Sequence, residues 1–176
     1  MSAANSNHNL TLITGPRAYT RQHMFDLLIE TALRQPVRML LGGNDFPVYE
    51  IAYALAARSG EVYTILEEGI TLSRAETGYQ LAELLRQTPT APTVTLAADL
   101  LSPLMDEGLR DKEAGELLFA CLLELRRMGK AAPVYISAAQ PKARPHLLMA
   151  LTRAVDAVQK PPPGLPAPQP QTGLRF

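Results

Sequence analysis

One cysteine, three histidines and a formal net charge of +0 remove several classes of protein from consideration for this 176-residue chain. Cys121 cannot close an internal disulfide, and its place in an apolar helical run marks a buried structural thiol rather than a nucleophile. His8, His23 and His146 are too scattered in sequence to announce a metal site. Zero net charge removes any whole-molecule field for nucleic acid or acidic membrane, so such binding must come from a local patch. No run is long enough to span a bilayer, and the polar opening MSAANSNHN lacks the charged-then-apolar order of a signal segment. The expectation is a cytoplasmic protein with no membrane contact.

What is present is material for one core. Hydrophobic residues make up 47% of the chain and charged residues 19%, which suits a single globular domain and argues against global disorder. Residues 10–14 predict a first strand, and Met24, Phe25, Leu27, Leu28, Ala32 and Leu33 predict a helix over 23–34 that Pro36 stops. Residues 37–41 predict a second strand breaking at Gly42-Gly43, and 46–58 a helix capped by Asn44 or Asp45 and ended by Gly60. The β-formers of VYTIL place a third strand at 61–66. Residues 72–86 then read as a helix with Ser73 and Glu76 spaced as a capping box. Strands at 93–98 and 133–138 flank a long helix over 112–128 closed by Gly129, and a last helix covers 146–158. Alternating strands and helices, most strands continuously apolar, predict an α/β fold: a doubly wound, mostly parallel sheet with helices on both faces. The expected organisation is a disordered leader at 1–8, one domain at 9–159 and a Pro-rich flexible tail at 160–176, with Leu174, Arg175 and Phe176 as its candidate anchor.

The stretch LTLITGPRAYTRQ has the strand, loop and helix frame of a phosphate-binding loop, whose pattern is G-x-x-x-x-G-K-[ST]. Gly15 stands at the first glycine, but Thr20 replaces the second, Arg21 the lysine and Gln22 the hydroxyl residue. A β-branched Thr20 cannot cheaply adopt the dihedrals that curl N–H groups around a phosphate. Arg21 keeps the charge in a longer, planar group, and Gln22 offers Mg²⁺ only a neutral amide oxygen. Read alone, this is also the composition of an ordinary strand-to-helix turn.

Four landmarks follow one order: the turn at 15–22, the strand ending at Gly43, the strand ending at Asp99 and the strand ending at Gln140. Together they resemble the ATPase core of the RecA-type recombinases over about residues 10–156. That resemblance implies a RecA-like core in which Arg21 stands for the loop lysine. Gly43 stands where the family has a catalytic glutamate, before a phenylalanine matched by Phe46, with Asp45 and Glu50 acidic nearby but out of register. Asp99 matches the Mg²⁺-directing aspartate, and Gln140 the glutamine that senses the terminal phosphate.

An ATPase of this class needs phosphate binding, a metal and a residue that orients the attacking water. With the loop glycine, lysine, hydroxyl and glutamate replaced, the expectation is a catalytically inactive RecA-like paralogue with no cofactor; ATP binding without turnover stays open. It would act in DNA repair or recombination through protein contacts, with a RecA-like ATPase subunit or by self-association. The family's two DNA loops correspond to 102–112, which is acidic, and 140–144, which is basic. Single-stranded DNA contact is therefore assigned to Lys142, Arg144, His146 and Arg153, although no aromatic stands there to stack bases. Two other readings compete: a weakly active ATP-binding enzyme using Arg21, and a scaffold of the same fold unrelated to DNA. The deciding structural question is whether the first turn is open to phosphates or filled by Arg17, Tyr19 and Arg21.

Overall fold

A computed structural model describes residues 9–164. The expected leader, with His8, and residues 165–176 of the expected tail, with Leu174, Arg175 and Phe176, lie outside the described residues. Six strands, β1 (Leu10–Gly15), β2 (Val37–Gly42), β3 (Ile70–Ala75), β4 (Val94–Ala98), β5 (Val134–Ala139) and β6 (Ala157–Gln159), form one sheet in the order β3-β2-β4-β5-β1-β6. Every pairing is parallel. The helices are α1 (Arg17–Ala32), α2 (Val48–Ala56), a short α3 (Val62–Thr64) running into a π turn (Ile65–Gly69), α4 (Gly78–Gln87), α5 (Asp111–Gly129) and α6 (Pro145–Ala154).

Successive strand residues point to opposite faces, and both faces are covered, which is why the central strands read as mostly apolar runs. Leu12, Leu40 and Ala97 pack with Leu81, Leu118, Cys121, Leu125 and Leu151 of α4, α5 and α6. Their neighbours Ile13, Leu41 and Leu96 pack with Met24, Leu28, Ile51 and Leu55 of α1 and α2 on the other side. Cys121 is fully buried, and burial pushes its thiol up to about 12, consistent with a purely structural group. No helix among the described residues is long and apolar enough to cross a membrane.

The doubly wound α/β architecture is as expected; several boundaries are not. Residues 62–69 are helical, and the third strand lies at 70–75 instead. Val62, Ile65 and Leu66 sit at helical spacing and pack against the α1–α2 layer, which outweighs their β propensity. The true β3 is an edge strand with Thr71, Leu72 and Arg74 exposed, so it carries no continuous apolar signal. Ser73 therefore belongs to a strand, and the capping box falls at Thr77 and Gln80: Thr77 Oγ1 accepts from the Gln80 N–H at 3.1 Å, while Gln80 Oε1 accepts from the Thr77 N–H at 3.2 Å. Neither Asn44 nor Asp45 caps α2, which starts after Pro47 without a side-chain cap.

The last helix stops at Ala154, and β6 follows. Asp156 makes the switch: its carboxylate accepts the Leu10 N–H at 2.9 Å and Arg126 Nη1 at 2.9 Å, while its own N–H donates to the Leu10 carbonyl. Those bonds hold its carboxyl below the usual carboxylate range. Pro161, at the start of the expected tail, lies against the end of β1, where a Cβ on Gly15 would come within 2.8 Å of Pro161 Cδ.

This winding places a site. Neighbouring β1 and β5 send the chain to opposite faces, into α1 and α6, and so do neighbouring β2 and β4. Crevices open beyond the carboxyl ends of strands at such switch points.

Candidate functional site

The first turn is shorter than a phosphate-binding loop. β1 ends at Gly15, whose φ of 148° favours glycine; Pro16 follows with φ −56°, and α1 begins at Arg17. Residues 17–22, expected to belong to the loop, are all helical, so no chain is left to curl around a phosphate. Thr20 is buried, with its N–H donating to the Pro16 carbonyl and its hydroxyl to the Arg17 carbonyl, both at 3.1 Å. Gln22 is exposed and donates to Asp26 Oδ1 at 2.9 Å, away from the strand ends.

Arg17 and Arg21, one helical turn apart, reach over the end of the sheet. Arg17 pairs closely with Asp45 and lies 3.6 Å from Asp99 Oδ2; Arg21 lies 3.8 Å from Asp45. Tyr19 turns aside, its ring tilted against His23 at 5.6 Å. The crevice between β2 and β4, bounded by Gly42, Gly43, Phe46 and Ser137 as well as by these charges, holds only about 10 Å³. That is room for about one water molecule.

Asp99 closes β4 in the left-handed region, with φ 55°. Its N–H donates to Ser137 Oγ at 3.0 Å and its carbonyl accepts the Ser102 N–H at 3.1 Å. That carbonyl passes over β2, where a Cβ on Gly42 would lie 2.4 Å from it; only glycine fits. Burial raises the Asp99 carboxyl above its ordinary range; Arg17 and Arg21 pull the other way, and Asp45 adds to the rise. Gly43, with φ 91°, brings no side chain, and its N–H donates to the Ala75 carbonyl at 3.0 Å.

Between β1 and β5 the edge stays open. A cleft of about 500 Å³ is lined by Gly15, Arg17, Asp99, Ser102, Gln140 and Lys142, among others. Gln140 is one of these, with its N–H donating to the Gly15 carbonyl at 3.2 Å. Of the residues singled out in sequence, Gly15, Arg21, Gly43, Asp99 and Gln140 do converge on one edge. Thr20 reaches only the closed crevice, and Gln22 borders neither space.

No protein-family model and no curated sequence matches the chain. Its chemistry is read from the geometry alone. Among the described residues, no three His, Cys, Asp or Glu side chains are grouped to hold a metal ion.

The basic loop after β5 divides. Arg144, itself left-handed at φ 50°, is mostly buried. Its guanidinium donates to Asp111 Oδ1 and the Leu104 carbonyl at 2.8 Å, to the Asp106 carbonyl at 2.9 Å and to the Leu109 carbonyl. The loop at 104–111 is folded around this one cation, which is not presented outward; in return Arg144 holds the Asp111 carboxyl below its usual range. Lys142, His146 and Arg153 are exposed. Sequence reasoning missed that Arg17 and Asp45 would pair. The available signal was a cation directly after Gly-Pro and an aspartate directly after a Gly-Gly break, both at strand ends of one edge.

Proposed function

We propose that this chain is a non-catalytic RecA-like subunit that acts through protein contacts in DNA repair or recombination, in the cytoplasm. One observation carries the nucleotide part of the reading: Arg17 and Arg21, neutralised by Asp45 and Asp99, occupy the crevice where a triphosphate and its metal would need to sit. A helix that starts two residues after Gly15 supports it further, because a phosphate nest needs successive free N–H groups in a loop. The strand order, with the Asp99 strand and the Gln140 strand side by side next to β1, supports the RecA-type assignment.

Equilibrium titration with a fluorescent ATP analogue and Mg²⁺ tests the reading. No saturable binding and no phosphate release is the expected result. ATP turnover that Asp99→Ala abolishes would overturn it. A weakly active nucleotide-binding enzyme is the second reading, favoured by the open cleft of about 500 Å³ beside Gln140, which falls within the ordinary size of ligand pockets; saturable binding lost in Gln140→Ala would select it. Single-stranded DNA is the further partner proposed, through exposed Lys142, His146 and Arg153 rather than Arg144. A salt-dependent affinity for oligo(dT) that falls in Lys142→Ala and Arg153→Ala is the matching result.

A further inference from the structure

A helix laid on a sheet needs one apolar face, and α5 has apolar side chains on two. Ala114, Leu117, Leu118, Cys121, Leu125 and Met128 are buried in the core. On the opposite side Lys112, Glu116, Phe119, Leu123, Arg126 and Lys130 are all exposed, alternately four and three residues apart, the spacing of a seam that packs on another helix. Phe119 and Leu123, one turn apart at its centre, are 64% and 55% exposed. Phe119 is the only exposed phenylalanine among the described residues, and unlike the exposed tyrosines it has no hydroxyl to offer water. Gly115, one turn before Phe119, leaves bare backbone on the same side. A Cβ there would meet nothing within 4 Å, so nothing inside the fold calls for a glycine where alanine makes the better helix.

Charge is ordered along this helix as well. Its N-terminal part carries Asp111, Glu113 and Glu116 with Lys112 as the one cation, and its C-terminal part Arg126, Arg127 and Lys130 with Glu124 as the one acid. That order suits the helix's own dipole, and it also makes the face complementary to itself turned end for end. Residues 119 and 123 are equidistant from 121, and so are 116 and 126.

We propose that α5 is the contact of a two-fold dimer, lying antiparallel to α5 of a second copy about an axis beside residue 121. Phe119 of each copy then meets Leu123 of the other, Glu116 meets Arg126, and Gly115 lets the helices approach closely. Arg126 reaches its partner while still holding Asp156, because its side chain stays 47% exposed. The one mismatch, Lys112 against Lys130, falls at the ends. Such a contact is isologous and closes at two copies. Parallel pairing would instead set acid against acid and base against base. Two other occupants fit less well. A foreign helix would have to reproduce a complement that a second copy already carries, and an acidic membrane surface would meet Glu113 and Glu116 beside the apolar pair. With 19 residues α5 is about 28 Å long, so the contact is at the small end of specific interfaces and implies a dissociation constant of about 1–100 μM. No residue of α5 borders the crevice or the cleft, and the inference goes beyond the reading above, since it needs neither nucleotide nor DNA.

Sedimentation equilibrium of the full chain, up to about 200 μM, provides the test. Mass should rise from one copy to two and stop there. Phe119→Ser/Leu123→Ser, which touches no charge and no core residue, should weaken dimerisation on the order of a hundredfold. Glu116→Lys sets like charges together twice per dimer and should weaken it about tenfold, whereas Lys112→Glu, which removes the mismatch with Lys130, should tighten it about threefold. Those opposite signs fix the register, and unchanged circular dichroism checks that each variant folds. A chain that stays monomeric at about 200 μM overturns the proposal. So does assembly that grows past two copies, a dimer indifferent to the Phe119 and Leu123 change, or charge variants that shift it in the same direction. Monomers that float with phosphatidylglycerol vesicles, and cease to in Phe119→Ser/Leu123→Ser, would give the face to a membrane and overturn it too. None of these outcomes alters the nucleotide titration, so the two readings fail separately.

Discussion

The crevice between β2 and β4 and the cleft between β1 and β5 lie on one edge of one sheet, yet the first holds about 10 Å³ and the second about 500 Å³. Both arise from the same winding rule, and Arg17 and Asp99 border both. The difference is made by side chains. α1 starts early enough for Arg17 and Arg21 to cross the first crevice and meet Asp45, whereas Gly15, Ala138 and Ala139 leave part of the second cleft's wall with little or nothing to extend into it. A switch point thus guarantees a place for a ligand, and the residues around it decide whether that place is vacant.

The most damaging way to break this comparison is Gly42→Ala. Its methyl would meet the Asp99 carbonyl, which is backbone and held by Ser102, so the edge must shift beneath both spaces. A loss of about 3 kcal/mol is expected from such overpacking, read as a lower urea midpoint with unchanged slope. Next is Arg144→Ala, which strips several carbonyl groups of their donor and frees the loop bearing Met105, one wall of the open cleft. About 2 kcal/mol should go, and Arg144→Gly should cost about 1 kcal/mol less because glycine adopts the left-handed conformation without penalty.

Smaller changes sharpen the contrast. Arg17→Ala opens the closed crevice at a cost below about 1 kcal/mol at neutral pH, since the ion pairs are half exposed. The share of that cost due to the Asp99 pair should vanish in acid once that carboxyl is protonated, as paired denaturation curves at the two pH values will record. The smallest expected effect has the opposite sign. A carboxyl whose folded pKa is raised, as burial raises that of Asp99, withholds stability at neutral pH and returns it as the pH falls through that pKa. Asp99→Asn should therefore stabilise the protein at pH 7 by a few tenths of a kcal/mol, a gain that disappears on acidification; asparagine also tolerates a φ of 55° well. A variant that loses stability at pH 7 would contradict this assignment.

The central strands were legible because burial on both faces favours predominantly apolar side chains, as in 37–41 and 93–98. The edges were not. β3 needs apolar side chains only where it faces a helix, and β6 is only three residues long and pairs with β1 alone, its start fixed by Asp156. Asp99 and Gln140 were recognisable by position, since each ends an apolar strand. Arg144 was not, because a surface cation and a buried one look alike until the carbonyls it binds are in place.

From sequence alone came the α/β class, the register of hydrophobic runs and the loss of a glycine, a lysine and a hydroxyl from the first turn, because each is a property of residue type and spacing along the chain. Tertiary structure alone decided that Arg17 meets Asp45, that Gly42 yields to the Asp99 carbonyl and that the loop at 104–111 folds around Arg144. Those facts depend on which strands become neighbours, and long-range pairing is set by how the two helical layers pack rather than by any local pattern.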